Sequence, residues 1–320
     1  MTEDVNIDSR GRSVLFVHGR DFKPDRDTLL DLSLTAVRAG IERDYPDCLP
    51  AFDGLHTDIA YYGDLSNDLL RGVGRVYDAE LDVGDRKCAL RQLRAITPRK
   101  RFGIRQYDRL PGKSAIPEFI ADFVFPVFAL FGLAMPIIRR KSRDFAEYLQ
   151  PKSTYAMDVQ ERVRTSLCKM LDRGDEILLL THGTGSVIAW DVLWQLSNDP
   201  EFNEKYGSQK LDMWVTLGSP LGERQVRKRI EGAGRDSNAL FPKNIIAWHN
   251  VAAEDDYTCH DKTLADDFKK MMNQRLVSAI TDYRVFNLAL RYGRSNPHSS
   301  IGYYIHPRVS KIIADWMNHT

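Results

Sequence analysis

The sequence lacks the features of a secreted, disulfide-bonded or zinc-binding protein. Its four cysteines, Cys48, Cys88, Cys168 and Cys259, are scattered, with neither CxxC spacing nor a paired pattern. We therefore expect reduced thiols and a cytoplasmic location rather than a disulfide framework or a zinc site. Residues 1–11 are polar and acidic, without the charged-then-apolar pattern of a signal peptide. Secretion is not expected.

An excess of charge of either sign is also missing. The chain of 320 residues carries 45 Lys and Arg against 44 Asp and Glu, a net charge of +1. This balance argues against a general nucleic-acid-binding protein, because phosphate contacts require a surplus of basic side chains. No cluster of metal ligands and no phosphate-binding glycine loop is present. We predict that neither a metal nor an organic cofactor is needed.

Apolar runs alternate along the chain with segments of helical periodicity. Short runs rich in β-branched and aromatic residues predict strands at 14–17, 57–62, 176–180, 211–217, 244–250 and 283–288. Helices are predicted at 25–43, 157–172, 184–197 and 305–317. Strands alternating with helices predict an α/β fold with a mainly parallel sheet and helices on both faces.

The alternation is interrupted at about residues 65–155. We interpret this stretch as a lid or cap inserted into a single domain that spans residues 1–320. Within it, residues 116–138 are apolar and aromatic, and basic clusters lie before and after them, the second at 139–141. The length would suit a transmembrane helix, but Glu118, Asp122, Pro126 and Pro136 interrupt it.

Three roles remain open for the apolar segment of the insertion. It packs on the core as part of a lid, it docks on an anionic membrane surface through residues 116–141, or it forms a contact with a second subunit. Either of the first two roles favours an apolar or lipid-like small-molecule ligand. The oligomeric state is left open.

The strongest motif is THGTGS at residues 181–186, between a predicted strand and a predicted helix. It resembles the nucleophile elbow of the α/β-hydrolase superfamily, in particular lipase- and esterase-like members that read GHSxGS. The resemblance extends over most of the chain outside the insertion, and it implies the α/β-hydrolase fold. His182 and Gly185 would flank the elbow, and Gly183 would occupy the position of the nucleophilic serine.

Other matches to the superfamily follow in its chain order. His18 and Gly19, after the first strand, resemble the oxyanion loop, so the resemblance implies backbone donors at Arg20 and Thr184. The segment after Trp248 resembles the one that carries the catalytic acid. Spacing favours Asp256 over Asp255 in this role. The sequence NPH at 296–298 resembles the histidine loop, which implies that His298 is the catalytic base.

The departure from the family concerns the nucleophile. Gly183 has no side chain, so no acyl-enzyme can form there, whether the glycine is natural or an engineered replacement. Thr184, Ser186 and Cys259 are the alternative nucleophiles, and none has the expected orientation or activation. A water molecule activated by His298 could replace the serine hydroxyl.

Three functions follow from this pattern. The first is an esterase-like hydrolase that acts on or binds an apolar acyl ester, with His298 and a water molecule in place of a serine. The second is a non-catalytic pseudoenzyme that binds a lipid-like ligand or a protein partner. The third is a lyase-type reaction, in which His298 moves a proton and backbone N–H groups hold an enolate.

Overall fold

The computed structural model describes residues 10–97, 101–112, 142–236, 239–259 and 261–318. Six strands form a fully parallel sheet in the order β2-β1-β3-β4-β5-β6, and two short strands form a separate antiparallel pair. The strands are β1 (Arg12–Val17), β2 (His56–Ala60), β3 (Glu176–His182), β4 (Leu211–Leu217), β5 (Ile245–Ala253), β6 (Ala279–Val285), β7 (Leu290–Arg291) and β8 (Arg294–Ser295).

Helices surround the sheet. They are α1 (Arg26–Asp44), α2 (Leu49–Asp53), α3 (Gly63–Gly72), α4 (Ala79–Arg94), α5 (Ile104–Tyr107), α6 (Arg143–Tyr148), α7 (Thr154–Asp172), α8 (Gly185–Asn198), α9 (Pro200–Tyr206), α10 (Arg224–Arg227), α11 (Lys269–Asn273), α12 (Ser300–Tyr304) and α13 (Pro307–Asn318). The α/β class, with a parallel sheet enclosed by helices, is thereby confirmed.

Both faces of the sheet are buried because successive side chains of a strand point to opposite sides. In β1, Leu15 and Val17 belong to one apolar core, whereas Val14 and Phe16 belong to the other. Parallel strands covered on both faces read as continuous apolar runs, which is why these strands were recognisable in the sequence. Each fully buried side chain of this size stabilises the fold by about 1.5–3 kcal/mol.

The boundaries of the elements agree with the sequence to different degrees. The strand predicted at 211–217 coincides with β4, whereas the strand predicted at 283–288 lies earlier, at β6. The helix predicted at 25–43 spans Arg26–Asp44, because Asp25 is its N-cap: the Asp25 side chain accepts a hydrogen bond of 2.9 Å from the N–H of Thr28. The Asp25 cap sets the start of α1, whereas pairing with β5 sets the bounds of β6.

The predicted insertion is helical, not irregular, in its described parts. Helices α3, α4, α5 and α6 lie there, and no strand occurs between residue 65 and residue 154 in the described ranges. The apolar segment at 116–138 and the basic cluster at 139–141 lie outside the described residues. Among the residues that are described, no helix has both the length and the hydropathy required to cross a bilayer.

A buried carboxyl group lies on α8, the helix that follows β3. Asp191 is 3 % exposed; its two oxygens accept hydrogen bonds from the Tyr148 hydroxyl at 2.5 Å and the Glu231 N–H at 2.7 Å. Burial raises the pKa of Asp191 to about 7, since the charged form loses its hydration. The folded protein therefore binds this proton more tightly than the unfolded chain does.

We expect Asp191→Asn to reduce the pH dependence of stability. A carboxyl group whose pKa is raised by folding stabilises the protein fully below pH 4, and this contribution is lost as pH rises through 7. The wild-type free energy of unfolding should fall by roughly 2–4 kcal/mol more than that of the variant between pH 4 and pH 8. Urea unfolding of both proteins at several pH values measures the difference. An equal change in the free energy of unfolding between pH 4 and pH 8 in the two proteins would contradict the raised pKa of Asp191.

Candidate functional site

The candidate site lies at the carboxyl ends of β1 and β3, where the strand order reverses. The chain passes from β1 to β2 on one side, and β3 pairs with β1 on the other side. In open α/β sheets, ligands bind in the crevice outside the carboxyl ends of strands at such a switch point. His18 and Gly19 follow β1 and Gly183 follows β3, so both segments border this crevice.

Glycines form the tight turn between β3 and α8. Gly183 has a φ of +54°, a left-handed conformation that L side chains rarely adopt. An ideal Cβ on Gly185 would lie 2.4 Å from the carbonyl oxygen of His18, which no side chain could tolerate. Gly185 thus allows the start of α8 to approach the end of β1 closely.

An imidazole and a carboxylate from distant parts of the chain meet at this edge. His298 Nδ1 lies 2.9 Å from Asp256 Oδ2, and the same oxygen accepts a hydrogen bond of 2.7 Å from the Tyr303 hydroxyl. The other oxygen of Asp256 accepts from the N–H of Thr258 at 3.0 Å. Asp255, the neighbour, instead accepts from the Tyr107 hydroxyl at 2.7 Å. The structure therefore brings Asp256, and not Asp255, against His298.

Asp256 is a carboxylate at neutral pH although its side chain is fully buried. Burial alone would raise its pKa, but the charge of His298 and the hydrogen bonds from His298, Tyr303 and Thr258 outweigh burial and lower the pKa to about 2. A fixed negative charge beside Nδ1 orients the ring and leaves Nε2 as the nitrogen that can accept a proton.

The other ring nitrogen of His298 points to Gly183. An ideal Cβ on Gly183 would lie 3.0 Å from Nε2 and 3.1 Å from Cε1 of His298. The Nε2 atom is buried and has no hydrogen-bond partner among the described residues. Asp256 and the side-chain position of residue 183 therefore lie at the two nitrogens of His298, Asp256 at Nδ1 and residue 183 at Nε2. A side chain there would require His298 to move by a few tenths of an ångström.

Gly218, directly after β4, makes room for this pair. It has a φ of +57°, and an ideal Cβ there would lie 2.7 Å from Asp256 Oδ2 and 3.1 Å from His298 Nδ1. Any larger residue would separate the carboxylate from the imidazole. The sequence showed Gly218 only as the end of a strand, because the neighbours that exclude a Cβ are distant in the chain.

His182 holds the backbone of the histidine loop. Its Nε2 lies 3.0 Å from the carbonyl oxygen of His298, and the two rings are 4.6 Å apart. Burial, followed by the nearby His298, lowers the pKa of His182 well below its usual value. His182 is therefore a neutral hydrogen-bonding group. The motif placed it beside the elbow but gave no indication of its contact with His298.

The loop after β1 contributes backbone donors. The N–H groups of Arg20 and Thr184, the predicted oxyanion donors, have no hydrogen-bond acceptor in the described part of the chain. The Arg20 guanidinium donates to the hydroxyls of Ser142 and Thr258. His18 is bound within the loop: its Nε2 accepts from the Tyr62 N–H at 3.1 Å, and its Nδ1 lies 2.9 Å from the Gly19 oxygen.

Lys23 stabilises the same loop, a role that the sequence did not predict. Its ammonium group donates to the carbonyl oxygens of Arg20, of Asp21 at 2.9 Å and of Phe22 at 3.4 Å. Burial, reinforced by the charge of Arg86, lowers the pKa of Lys23 to about 7. No local pattern separates this lysine from an exposed one, since its burial depends on tertiary packing.

The alternative nucleophiles make other contacts. The Ser186 hydroxyl is buried and accepts from Thr181 Oγ1 at 3.1 Å. The Cys259 thiol lies 3.6 Å from the Asp256 backbone oxygen, and burial raises its pKa well above the usual value. Thr184 is 3 % exposed and interacts with the Tyr62 hydroxyl. The described contacts place none of the three side chains against His298.

A cavity of about 680 Å³ opens beside these groups among the described residues. His298 and His182 border one part of it, and helix α4 and strand β7 contribute other parts of its wall. The arrangement provides a proton acceptor, His298, and the backbone of Arg20 at the wall of a space for a small molecule, and Thr184 follows Gly183 at the start of α8. It can hold a polar group that develops negative charge while a proton moves to or from it.

Comparisons of the chain with protein-family models, with curated proteins and with solved structures found no match.

Proposed function

We propose that this protein is an esterase-like member of the α/β-hydrolase superfamily that acts on acyl esters without a serine nucleophile. The observation that carries the proposal is the alignment of Asp256, His298 and the side-chain position of Gly183, with Nδ1 on the carboxylate and Nε2 directed at the position. The chain order of elbow, acid and histidine is that of the superfamily. The strand-turn-helix at Gly183 supports it further.

The reaction follows from these groups. A water molecule attacks the ester carbonyl carbon while His298 Nε2 accepts its proton, and the carbonyl oxygen becomes an oxyanion. The N–H groups of Arg20 and Thr184 bind that oxyanion. The tetrahedral intermediate then breaks the bond to the alcohol oxygen, which takes the proton from His298. The products are a carboxylic acid and an alcohol, and the imidazole returns to its neutral state.

The insertion forms part of the substrate cavity in this proposal. Leu81 and Ala89 of α4 line the cavity together with Leu29 of α1 and Leu290 of β7. An apolar acyl chain would pack against these side chains, which assigns α4 to the expected cap over the site. The described cysteines are all free thiols, and they favour the cytoplasm as the location.

A second candidate is a ligand-binding protein without catalytic turnover. One observation favours it: His298 Nε2 is buried against Gly183, so a water molecule reaches it only after the ring moves. In this case the cavity would hold an acyl or lipid-like ligand, and the Asp256–His298 pair would serve the fold alone.

The hydrolysis of aryl esters of graded chain length by the wild type and by His298→Ala separates the two functions. If His298 is the base, its removal should lower the rate above background by about 100-fold or more. His249→Ala is the matched control, because this imidazole is stacked on Tyr283 of β6 and does not border the cavity. Equal rates in His298→Ala and the wild type would exclude the hydrolase and leave the binding function.

A further inference from the structure

The cavity beside His298 is lined by charged side chains as well as apolar ones. Among the described residues that line it, basic side chains outnumber carboxyl groups by five to three. Lys23, Arg86 and Arg291 lie on three separate elements, the loop after β1, helix α4 and strand β7. Their convergence is created by the fold and not by neighbouring positions in the sequence.

One buried carboxylate is shared by two of these arginines. Asp82 is 1 % exposed, and its oxygens lie 3.0 and 3.1 Å from Arg86 Nε and 2.6 Å from an Nη of Arg291. The Tyr77 hydroxyl also donates to Asp82, at 2.8 Å. Asp82 thus pairs with both arginines, and Asp85, which also lines the cavity, lies near Arg291.

The guanidinium of Arg86 has hydrogen-bond donors that Asp82 does not use. It reaches Asp82 through Nε, and its two Nη groups have no acceptor among the described residues. Its side chain is only 12 % exposed, so these groups face the cavity and not open solvent. A guanidinium edge of this kind matches the two oxygens of a carboxylate or a phosphate.

The amine of Lys23 lies near Arg86, and with a pKa of about 7 it is only partly protonated at neutral pH. Its hydrogen bonds go to three backbone carbonyls, so it contributes this partial charge and not a direct contact. Its loop also borders the reactive position, because Gly19 Cα lies 3.9 Å from the ideal Cβ of Gly183. The basic groups therefore lie in the same cavity as His298 and next to the predicted oxyanion donors.

We propose that the ligand of this cavity carries an anionic oxygen group, a carboxylate or a phosphate, that binds the Nη edge of Arg86 in the field of Lys23. Its apolar part packs against Leu81, Ala89 and Leu290. The inference rests on the proposed function for the ester at the His298 end, so the substrate class becomes an acyl ester with an acidic group.

Calorimetric titration of the wild type with hexanoate, hexyl phosphate and hexanamide tests the binding. The three probes share an apolar chain and differ in charge. At least one anionic probe should bind at least about tenfold more tightly than the amide, and the stronger of the two identifies the group. Equal affinity for anions and amide, or no binding of any probe, would overturn the proposal.

The matched variants are Arg86→Gln and Arg38→Gln. Loss of Arg86 should lower the affinity for the anion by about tenfold and leave the amide unchanged. Asp82 keeps Arg291 and Tyr77 as partners, so the variant should fold. Arg38 pairs with Asp53 on the surface and serves as the control. Anion binding that survives Arg86→Gln would reject the site.

The hydrolase proposal and the anion-site proposal can each be contradicted without the other. The rate of hydrolysis of neutral aryl esters tests the chemistry at His298 without any acidic group on the substrate. Binding of hexanoate that depends on Arg86, without turnover of any ester, would leave the anion site and remove the hydrolase. Turnover of neutral esters without preferential anion binding would support the hydrolase and reject the anion site.

Discussion

Gly183→Ser should raise the rate of aryl-ester hydrolysis by at least about 100-fold over the wild type. The variant places a hydroxyl next to His298 Nε2, which already points to this position and is held through Nδ1 by Asp256. The backbone donors at Arg20 and Thr184 are unaffected by the change. The proposed site lacks only a nucleophilic side chain, in whose place the wild type uses a water molecule.

The same substitution should destabilise the protein. Residue 183 has a φ of +54°, and its side chain would contact His298 at 3.0 Å. Backbone strain of this kind costs about 1–3 kcal/mol for a residue with a Cβ. We therefore expect a lower free energy of unfolding together with a higher rate. Glycine removes this strain and also the nucleophile.

Gly183→Ala is the matched control, because it introduces the same strain and the same contact without a hydroxyl. It should lose as much stability as the serine variant and gain no activity. His298→Ala in the serine variant should abolish this gain and lower the rate below that of the wild type, because both the serine and the water reaction need His298 as the base. A serine variant as inactive as the alanine variant would show that the oxyanion loop or the cavity does not accept an ester.

Asp256→Asn should cause the second large change. In the Gly183→Ser background we expect the rate to fall by roughly 10³–10⁴, because an amide no longer holds His298 in the tautomer that accepts a proton at Nε2. Asp256 receives donors on both oxygens, from His298 and Tyr303 on one and from the Thr258 N–H on the other. An asparagine must turn its NH₂ group toward one set of donors.

The stability of this variant should also fall, and its pH dependence identifies the cause. An unsatisfied buried donor costs about 1–3 kcal/mol. Because the folded pKa of Asp256 is lowered to about 2, its contribution is present above pH 4 and is lost as pH falls toward 2. Urea unfolding between pH 2 and pH 6 should show this loss in the wild type and a weaker one in the variant.

Asp255→Asn is the control for charge. It removes the same charge one residue away, where the carboxylate contacts Tyr107, and asparagine tolerates the φ of +58° found there. The rate in the serine background should change little. A loss as large as that of Asp256→Asn would assign the effect to the charge of the loop and not to the contact with His298.

Most of the sheet was predictable because its signals are local. Buried parallel strands read as apolar runs, and the turn after β3 is marked by glycines that the backbone requires. The late boundary predicted for β6 shows the limit. Its side chains are only partly buried, so no apolar run defines its start at Ala279, and pairing with β5 decides it.

The sequence by itself determined the alternation of strands and helices, the turn at Gly183, and the order in which Asp256 and His298 follow it. These features depend on periodicity and backbone conformation within a few residues. Only the tertiary structure decided that Asp256 rather than Asp255 contacts His298, 42 residues away, and that Lys23 and Arg86 share a cavity with His298. Such contacts depend on how elements distant in the chain pack, and no local pattern encodes the burial that makes these charges interact.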